Sequence, residues 1–315
     1  MATYLVTGGA GFIGSHLVRE LVRRRQKVVV LDNLVTGKLS NLADVRSAIR
    51  FLRGDIRNRA VVRRACLGAD IVLHQAALRS VGRSVANPEE TSAVNIEGTV
   101  NVLIAARDAK VRRCVSASSS SVYGGVRVVR NTESLVPRPA SPYAVSKLAG
   151  EHFCRVFSEL YGLHTVSLRY FNVFGPFQDP HSPYAAVIPI FVSRLLRGVS
   201  PEIHGTGRQS RDFTYVANVV EANLRAATGR LGPPGAVINI GNGENTSIME
   251  MVRLLQRLLG VRVPSRFVSA RSGDVFRTHA DITKARRLLG YRPTVSFAEG
   301  LQRTVAWYQA GGISS

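Results

Sequence analysis

The sequence predicts an α/β protein built on a doubly wound parallel sheet, with a smaller C-terminal α/β lobe, and three observations carry that reading. Short apolar runs alternate with helical patterns through about residue 172. A glycine-spaced turn, Gly8-Gly9-Ala10-Gly11-Phe12-Ile13-Gly14, joins the first run to the first helical pattern. A second apolar run, Val28-Val29-Val30-Leu31, ends on the carboxylate of Asp32. Strands that alternate with helices pair in parallel, with helices on both faces.

Taken in order, Tyr4-Leu5-Val6 is the first strand, and a helix opens at Gly11 and continues through Leu17, Val18, Leu21 and Val22. After Asp32, Arg50 to Gly54 and Ile71 to His74 read as strands, separated by a helical stretch at 59–67. Asn87-Pro88-Glu89-Glu90 opens a long helix running to about Asp108, with asparagine as cap, proline in the first turn and acids at the positive end. Val111 to Ala117 is a strand, Tyr143 to Tyr161 a helix, and Thr165 to Phe171 a further strand. Beyond 172 the alternation loosens around Pro176, Pro180, Pro183 and Pro189. We therefore expect a first domain over 1–172 and a substrate lobe over 173–315, some of whose segments return to the first domain.

Composition narrows the function classes. At 315 residues, with 45% hydrophobic residues and a mean hydropathy of +0.05, the chain reads as soluble and globular. No apolar run reaches the roughly 18 residues of a membrane span. The apolar start lacks a basic leader and is broken by glycines, so it reads as a core strand rather than a signal peptide. Cys66, Cys114 and Cys154 are odd in number and widely spaced, which suits reduced thiols in a cytoplasm and no metal site. The net charge of +21 invites a nucleic-acid reading. The excess is arginine spread along the chain without interleaved aromatics, so it reads as a compositional bias whose field steers anionic substrates.

Two constellations carry chemistry. Gly8 permits the tight turn, Gly11 lets backbone approach a pyrophosphate, and Gly14 lets helix pack on strand, while the helix N-terminus offers N–H groups to phosphate. Asp32, eighteen residues beyond Gly14, suits the two ribose hydroxyls of NAD and repels the 2′-phosphate of NADP. Tyr143 and Lys147 stand four apart, so on a helix they share one face, and the ammonium favours the phenolate. Ser119, within the run Ser118-Ser119-Ser120-Ser121, can hydrogen-bond the same substrate hydroxyl.

The ordered motifs TGGAGFIG (7–14), DNLVTG (32–37), GDIRN (54–58), HQAA (74–77), NIEGT (95–99), SSSSVYG (118–124), YAVSK (143–147), RYFNVFGP (169–176), RDF (211–213) and RSGD (271–274) span nearly the whole length. With them the chain resembles the extended short-chain dehydrogenase/reductase family, and within it the nucleotide-sugar epimerases. The resemblance implies a Rossmann fold holding NAD through Gly8, Gly11, Phe12, Ile13, Gly14, Asp32, Asn33, Thr36, Gly37, Asp55, Ile56, Gln75, Ala76, Ala77, Arg79, Asn95, Ser119, Tyr143, Lys147 and Phe171. It implies catalysis by Ser119, Tyr143 and Lys147. It also implies that Asn172, Arg211 and Arg271 hold a diphosphate, that Asp274 accepts from the uridine ribose, and that Ala186, Val187, Ile203 and His204 pack the uridine. Ser119 and Tyr143 would meet the sugar, and Thr278 would lie against its 2-substituent.

Within that family the serine run discriminates. Dehydratases carry an Asp-Glu pair where this chain has Ser120 and Ser121, and decarboxylases carry Glu at the latter position; hydroxyls cannot replace a carboxyl acid/base pair. Reversible oxidation and reduction at one carbon is what remains, and the resemblance implies that this is C4 of a UDP-hexose, through a 4-keto sugar with Tyr143 as base. The expected substrates are UDP-glucose and UDP-galactose, with the N-acetylated pair accepted because Thr278 is small and the segment 171–189 resembles the UDP-N-acetylglucosamine 4-epimerases. Arg79 and Arg83 leave a UDP-glucuronate epimerase as the alternative, with another nucleotide-sugar oxidoreductase beside it, and an NAD-binding redox sensor or RNA-binding protein as the non-enzyme one. Val216-Ala217-Asn218-Val219 departs from relatives with acids at 217 and 218, where a local structural effect is expected. Relatives pair as dimers through helices around 88–109 and 141–160, so a homodimer without nucleic-acid or membrane partners is implied.

Overall fold

The computed structural model describes residues 1–126, 128–180, 185–229, 232–270 and 275–312; Arg271 and Asp274 lie outside the described residues. Its centre is a seven-stranded sheet made of β1 (Thr3–Thr7), β2 (Lys27–Asp32), β3 (Ile49–Arg53), β4 (Ile71–His74), β5 (Arg113–Ser119), β6 (Thr165–Tyr170) and β7 (Ala236–Ile240), in the order β7-β6-β5-β4-β1-β2-β3. Every pairing is parallel. The strand order reverses around β1, which lies between β2 and β4, and ligands of such sheets bind beyond the strand C-termini at that point.

Both faces of the sheet are covered, so the central strands read as continuous apolar runs rather than alternating ones. Val6 and Val30 join one buried cluster with Leu17 and Leu21 of α1 (Phe12–Arg23), whereas Leu5 and Leu31 join the opposite one with Val62 of α2 (Arg59–Cys66) and Val102 of α3 (Gly98–Asp108). The expected long helix from Pro88 to Asp108 is present, with a wide turn over Ala93–Glu97. Asn87 caps it through the Glu90 N–H at 3.0 Å. α4 (Pro142–Tyr161) starts at Ser141, whose hydroxyl accepts from the Ala144 N–H at 3.2 Å, with Pro142 in the first turn. Cys66, Cys114 and Cys154 are free and buried, and burial pushes their thiols up.

Part of the chain beyond 172 returns to the sheet: β7 pairs with β6, and α5 (Val216–Thr228) contributes Val219, Val220 and Leu224 to the sheet core. The remainder builds a smaller lobe around Phe174, Phe213 and Phe297. A three-stranded sheet of Ser210–Arg211, Thr246–Ser247 and Arg277–Thr278 brings Arg211 and Thr278 to the cleft that Ser119 also lines. Asn218, at the departure from the family pattern, is fully buried: it donates to the Val295 carbonyl at 2.8 Å and accepts from the Thr294 and Val295 N–H groups. It holds the connection into the last helix. Among the described residues no helix is long and apolar enough to cross a membrane.

Candidate active site

A cleft of about 1480 Å³ runs across the C-terminal ends of the strands and between the two lobes. Its floor is the glycine turn. Gly8 has φ of +68°, the left-handed region that favours glycine, and a Cβ there would come within 2.7 Å of the Ala76 nitrogen. A Cβ on Gly14 would overlap the Gly8 carbonyl oxygen, so α1 sits against the turn only because Gly14 has no side chain. Gly11 precedes α1 with no side-chain cap, leaving the helix N-terminus open toward the cleft. This cradle fits a dinucleotide diphosphate, which needs backbone N–H groups at close range.

Asp32 lines the cleft beside this turn. Its carboxylate accepts from the Ala10 N–H at 2.9 Å and the Leu34 N–H at 2.8 Å, while burial pushes its pKa up. Each oxygen keeps a further lone pair for a ribose hydroxyl. Gly37 lets the following loop approach, since a Cβ there would stand 3.0 Å from Asp32 Oδ1. Phe12, Ile13, Asn33, Thr36, Ile56, Gln75, Ala76, Ala77 and Arg79 all line the cleft. Asp55 instead braces it: it accepts from Asn33 at 2.9 Å and pairs with Arg57, which pulls its carboxyl down to about 2.

Like Asp55, the expected cofactor residues Asn95 and Phe171 sit behind the cleft wall. Asn95 is buried and occupied, accepting from the Leu78 N–H at 2.8 Å and donating to the Leu78 carbonyl and the Ser146 hydroxyl. It shapes the loop that lines the cleft. Phe171 is fully buried beside Tyr123 in the sheet core, and its neighbour Tyr170 reaches the cleft instead. One step along a strand end reverses the face that a side chain presents.

Ser119, Tyr143 and Lys147 meet in the cleft. β5 ends at Ser119, whose hydroxyl accepts from the Ser121 N–H at 3.1 Å. Lys147 Nζ donates to the Ala117 carbonyl at 2.9 Å and stands 6.0 Å from the centre of the Tyr143 ring. Burial pushes the Tyr143 phenol up, opposed by a hydrogen bond with Ser119 and by the positive charge of Arg79. Burial therefore outweighs the Ser119 hydroxyl and the Arg79 charge together. Burial likewise pushes Lys147 down to about 8, with Cys154 and Glu151 pulling it back.

The second lobe delivers Asn172, Ala186, Arg211 and Thr278 to the cleft. Asn172 has a positive φ of 29°, and its amide donates to the Asp212 carbonyl at 3.1 Å and the Thr278 hydroxyl at 3.0 Å. Both of its N–H donors are thus engaged, so it positions Thr278 rather than offering them to a diphosphate. Arg211 donates to the Ser210 and Phe276 carbonyls at 3.0 and 3.3 Å. Ile203 is 1% exposed in the lobe's core, and His204 is held by the Ser269 carbonyl at 3.1 Å. Val187 begins a helix and packs against the same core, so these three support the wall rather than line it. Lys38 and Asp179 were not expected; their ion pair at 2.8 Å joins the loop after Asp32 to the second lobe. The signal was a basic residue directly after Thr36-Gly37, but its acidic partner lies 141 positions away.

A parallel sheet with this switch point, a glycine cradle and a Ser/Tyr/Lys set defines a nucleotide-dependent oxidoreductase-type centre. The description of the family whose model matches residues 4–241 is the NAD dependent epimerase/dehydratase family, and the chain belongs to it. The chain is 39% identical over 311 residues to a UDP-glucose 4-epimerase of Mycolicibacterium smegmatis, covering 97% of this chain and 98% of the other. It superposes with a TM-score of 0.94 and 38% identity on the UDP-N-acetylglucosamine 4-epimerase of Methanobrevibacter ruminantium, over 98% of each chain. The UDP-glucuronic acid 4-epimerase of Bacillus cereus, solved with UDP-glucuronic acid and NAD, gives 0.91 and 34%, over 98% of this chain and 99% of that one.

Proposed function

We propose that the chain interconverts C4 epimers of a UDP-hexose, UDP-glucose and UDP-galactose first and the N-acetylated pair second. The observation that carries this reading is the meeting of Ser119, Tyr143 and Lys147 in one cleft with hydroxyls, not carboxyls, at 120 and 121. NAD, when bound, supplies the acceptor and donor of the C4 hydride. Tyr143 as phenolate takes the proton of the 4-hydroxyl, and Ser119 donates to the same oxygen. The ammonium of Lys147 balances the phenolate charge. Once the 4-keto sugar has presented its other face, Tyr143 returns the proton. Arg211 grips the diphosphate, since a planar fork suits those oxygens. Nothing in the serine loop protonates a leaving hydroxyl, which supports epimerisation over dehydration.

Arg79 favours a second reading. It lines the cleft near Tyr143, whereas Arg83 is engaged with Glu90 at 3.1 Å. A guanidinium at this position suits the C6 carboxylate of UDP-glucuronate. Exposed Val145, Phe153, Leu160 and Tyr161 on α4 support pairing of two copies. The test of the main reading is Tyr143→Phe: we expect NAD to remain bound and C4 epimerisation to fall by at least ~100-fold. Parental turnover in that variant contradicts it.

A further inference from the structure

Tyr143, Lys147 and Glu151 are spaced by four on α4, so they project from one face of the helix. Each meets one of three consecutive residues at the end of β5. Tyr143 shares the cleft with Ser119, whose hydroxyl pulls against the burial that raises the phenol, Lys147 Nζ donates to the Ala117 carbonyl at 2.9 Å, and the Ser118 hydroxyl donates to Glu151 Oε1 at 2.5 Å. Glu151 is also gripped in bidentate fashion by Arg169, with Nε and one terminal nitrogen at 2.8 and 2.7 Å. Both side chains of that ion pair are 4% exposed. Arg169 is the register partner of Ser118 on β6, and its guanidinium lies 4.7 Å from the centre of the Tyr123 ring, in the turn that follows Ser119.

A buried ion pair seldom adds net stability over apolar residues of the same volume, because both ions are taken out of water. What it does that an apolar contact does not is select one relative placement, because a bidentate fork and a short hydroxyl bond each tolerate little displacement. Here the three partners come from β5, β6 and α4, and two of these, β5 and α4, carry Ser119 and the Tyr143–Lys147 pair. One slip of α4 along β5 moves the phenol away from the serine.

We infer that Glu151, clamped by Arg169 and Ser118, is a positioning residue that sets the catalytic helix against the strand bearing Ser119; this rests on the reading of Tyr143 as base. Glu151 also has an electrostatic effect on Lys147. The ammonium is faced by Glu151 and the Cys154 thiol on its own helix, by Tyr143 one turn before, and by His74 on β4. Burial keeps His74 neutral, held between Thr7 and Thr99, and the Cys154 thiol protonated, so Glu151 is the anion that faces the ammonium besides the Tyr143 phenolate itself.

The experiment compares Ser118→Ala, Glu151→Gln and, as control, Tyr143→Phe in the NAD-loaded full chain. It records bound NAD, thermal unfolding, and kcat and KM against pH with UDP-glucose. Ser118→Ala removes one hydroxyl and keeps both ions, so we expect parental NAD content and cooperative unfolding. Its kcat should fall roughly tenfold with KM within about twofold, since small misplacements of reacting groups cost rate rather than binding. Glu151→Gln keeps an acceptor for Ser118 but removes the charge, so its alkaline limb of kcat should move to lower pH. If that variant does not fold, leaving Arg169 uncompensated, Ser118→Ala alone decides. Parental kcat in Ser118→Ala overturns the inference. So does a loss that tracks bound NAD one for one, which assigns the cluster to stability alone. An active Tyr143→Phe removes the underlying reading instead, whatever the other variants do.

Discussion

Lys147 Nζ donates to the Ala117 carbonyl at 2.9 Å, so the ammonium one turn beyond Tyr143 is fastened to the strand that ends in Ser119. Burial holds that ammonium down at about 8, against 10.5 for the ordinary group. Activity should therefore decline above about pH 8 as the cation beside the phenolate is lost. Stability moves the other way: a lysine whose folded pKa is depressed adds stability as pH rises from the folded toward the unfolded value. A pH series of kcat on the NAD-loaded protein, with melting temperatures alongside, should show falling turnover without a matching loss from this group. Lys147→Met should remove the alkaline limb and lower kcat by ~100-fold or more.

The Asn172–Thr278 hydrogen bond at 3.0 Å places a small side chain on the cleft wall. Thr278→Tyr should narrow the space for a 2-substituent. We expect kcat/KM for the N-acetylated pair to fall by about tenfold or more relative to the glucose pair. Equal losses on both substrate classes contradict the placement.

Asp32 accepts two backbone N–H groups and faces the cleft. Asp32→Ala strands those donors and removes the ribose acceptor, a loss of about 1–3 kcal/mol in each buried contact. The purified variant should carry less bound NAD than the parent and discriminate less against NADP, as read by titrating both dinucleotides. Unchanged NAD content contradicts the assignment.

Gly14→Ala puts a methyl group into the Gly8 carbonyl. Overpacking of this kind costs about 1–3 kcal/mol. The melting temperature and the bound NAD should fall together, because the same turn serves the helix and the diphosphate. A parental melting temperature contradicts it.

Features set by backbone were legible in the sequence: the φ of Gly8, the packing of Gly14 and the end of β2 at Asp32 follow from local rules that hold whatever surrounds them. The Tyr143–Lys147 pair was legible because helical spacing alone puts two side chains on one face. Residues next to a strand end were not. Phe171 turned into the core, Tyr170 reached the cleft, and Asn172 adopted a positive φ, because the pleat and the first turn after β6 decide direction. Asn95 and Ile203 stand behind the cleft wall for another reason: their partners, Leu78 and the core of the second lobe, are joined to them only by the tertiary fold. The Lys38–Asp179 and Glu151–Arg169 pairs share that property, joining elements that only the tertiary fold brings together.

The most direct measurement is incubation of the purified chain, with no NAD added, with UDP-glucose, UDP-N-acetylglucosamine and UDP-glucuronate in turn, followed by separation of C4 epimers. The account predicts conversion of UDP-glucose to its C4 epimer by retained cofactor, with no net oxidation and no dehydrated product. Failure to convert any of the three, even after NAD is supplied, or accumulation of a dehydrated sugar, would contradict it.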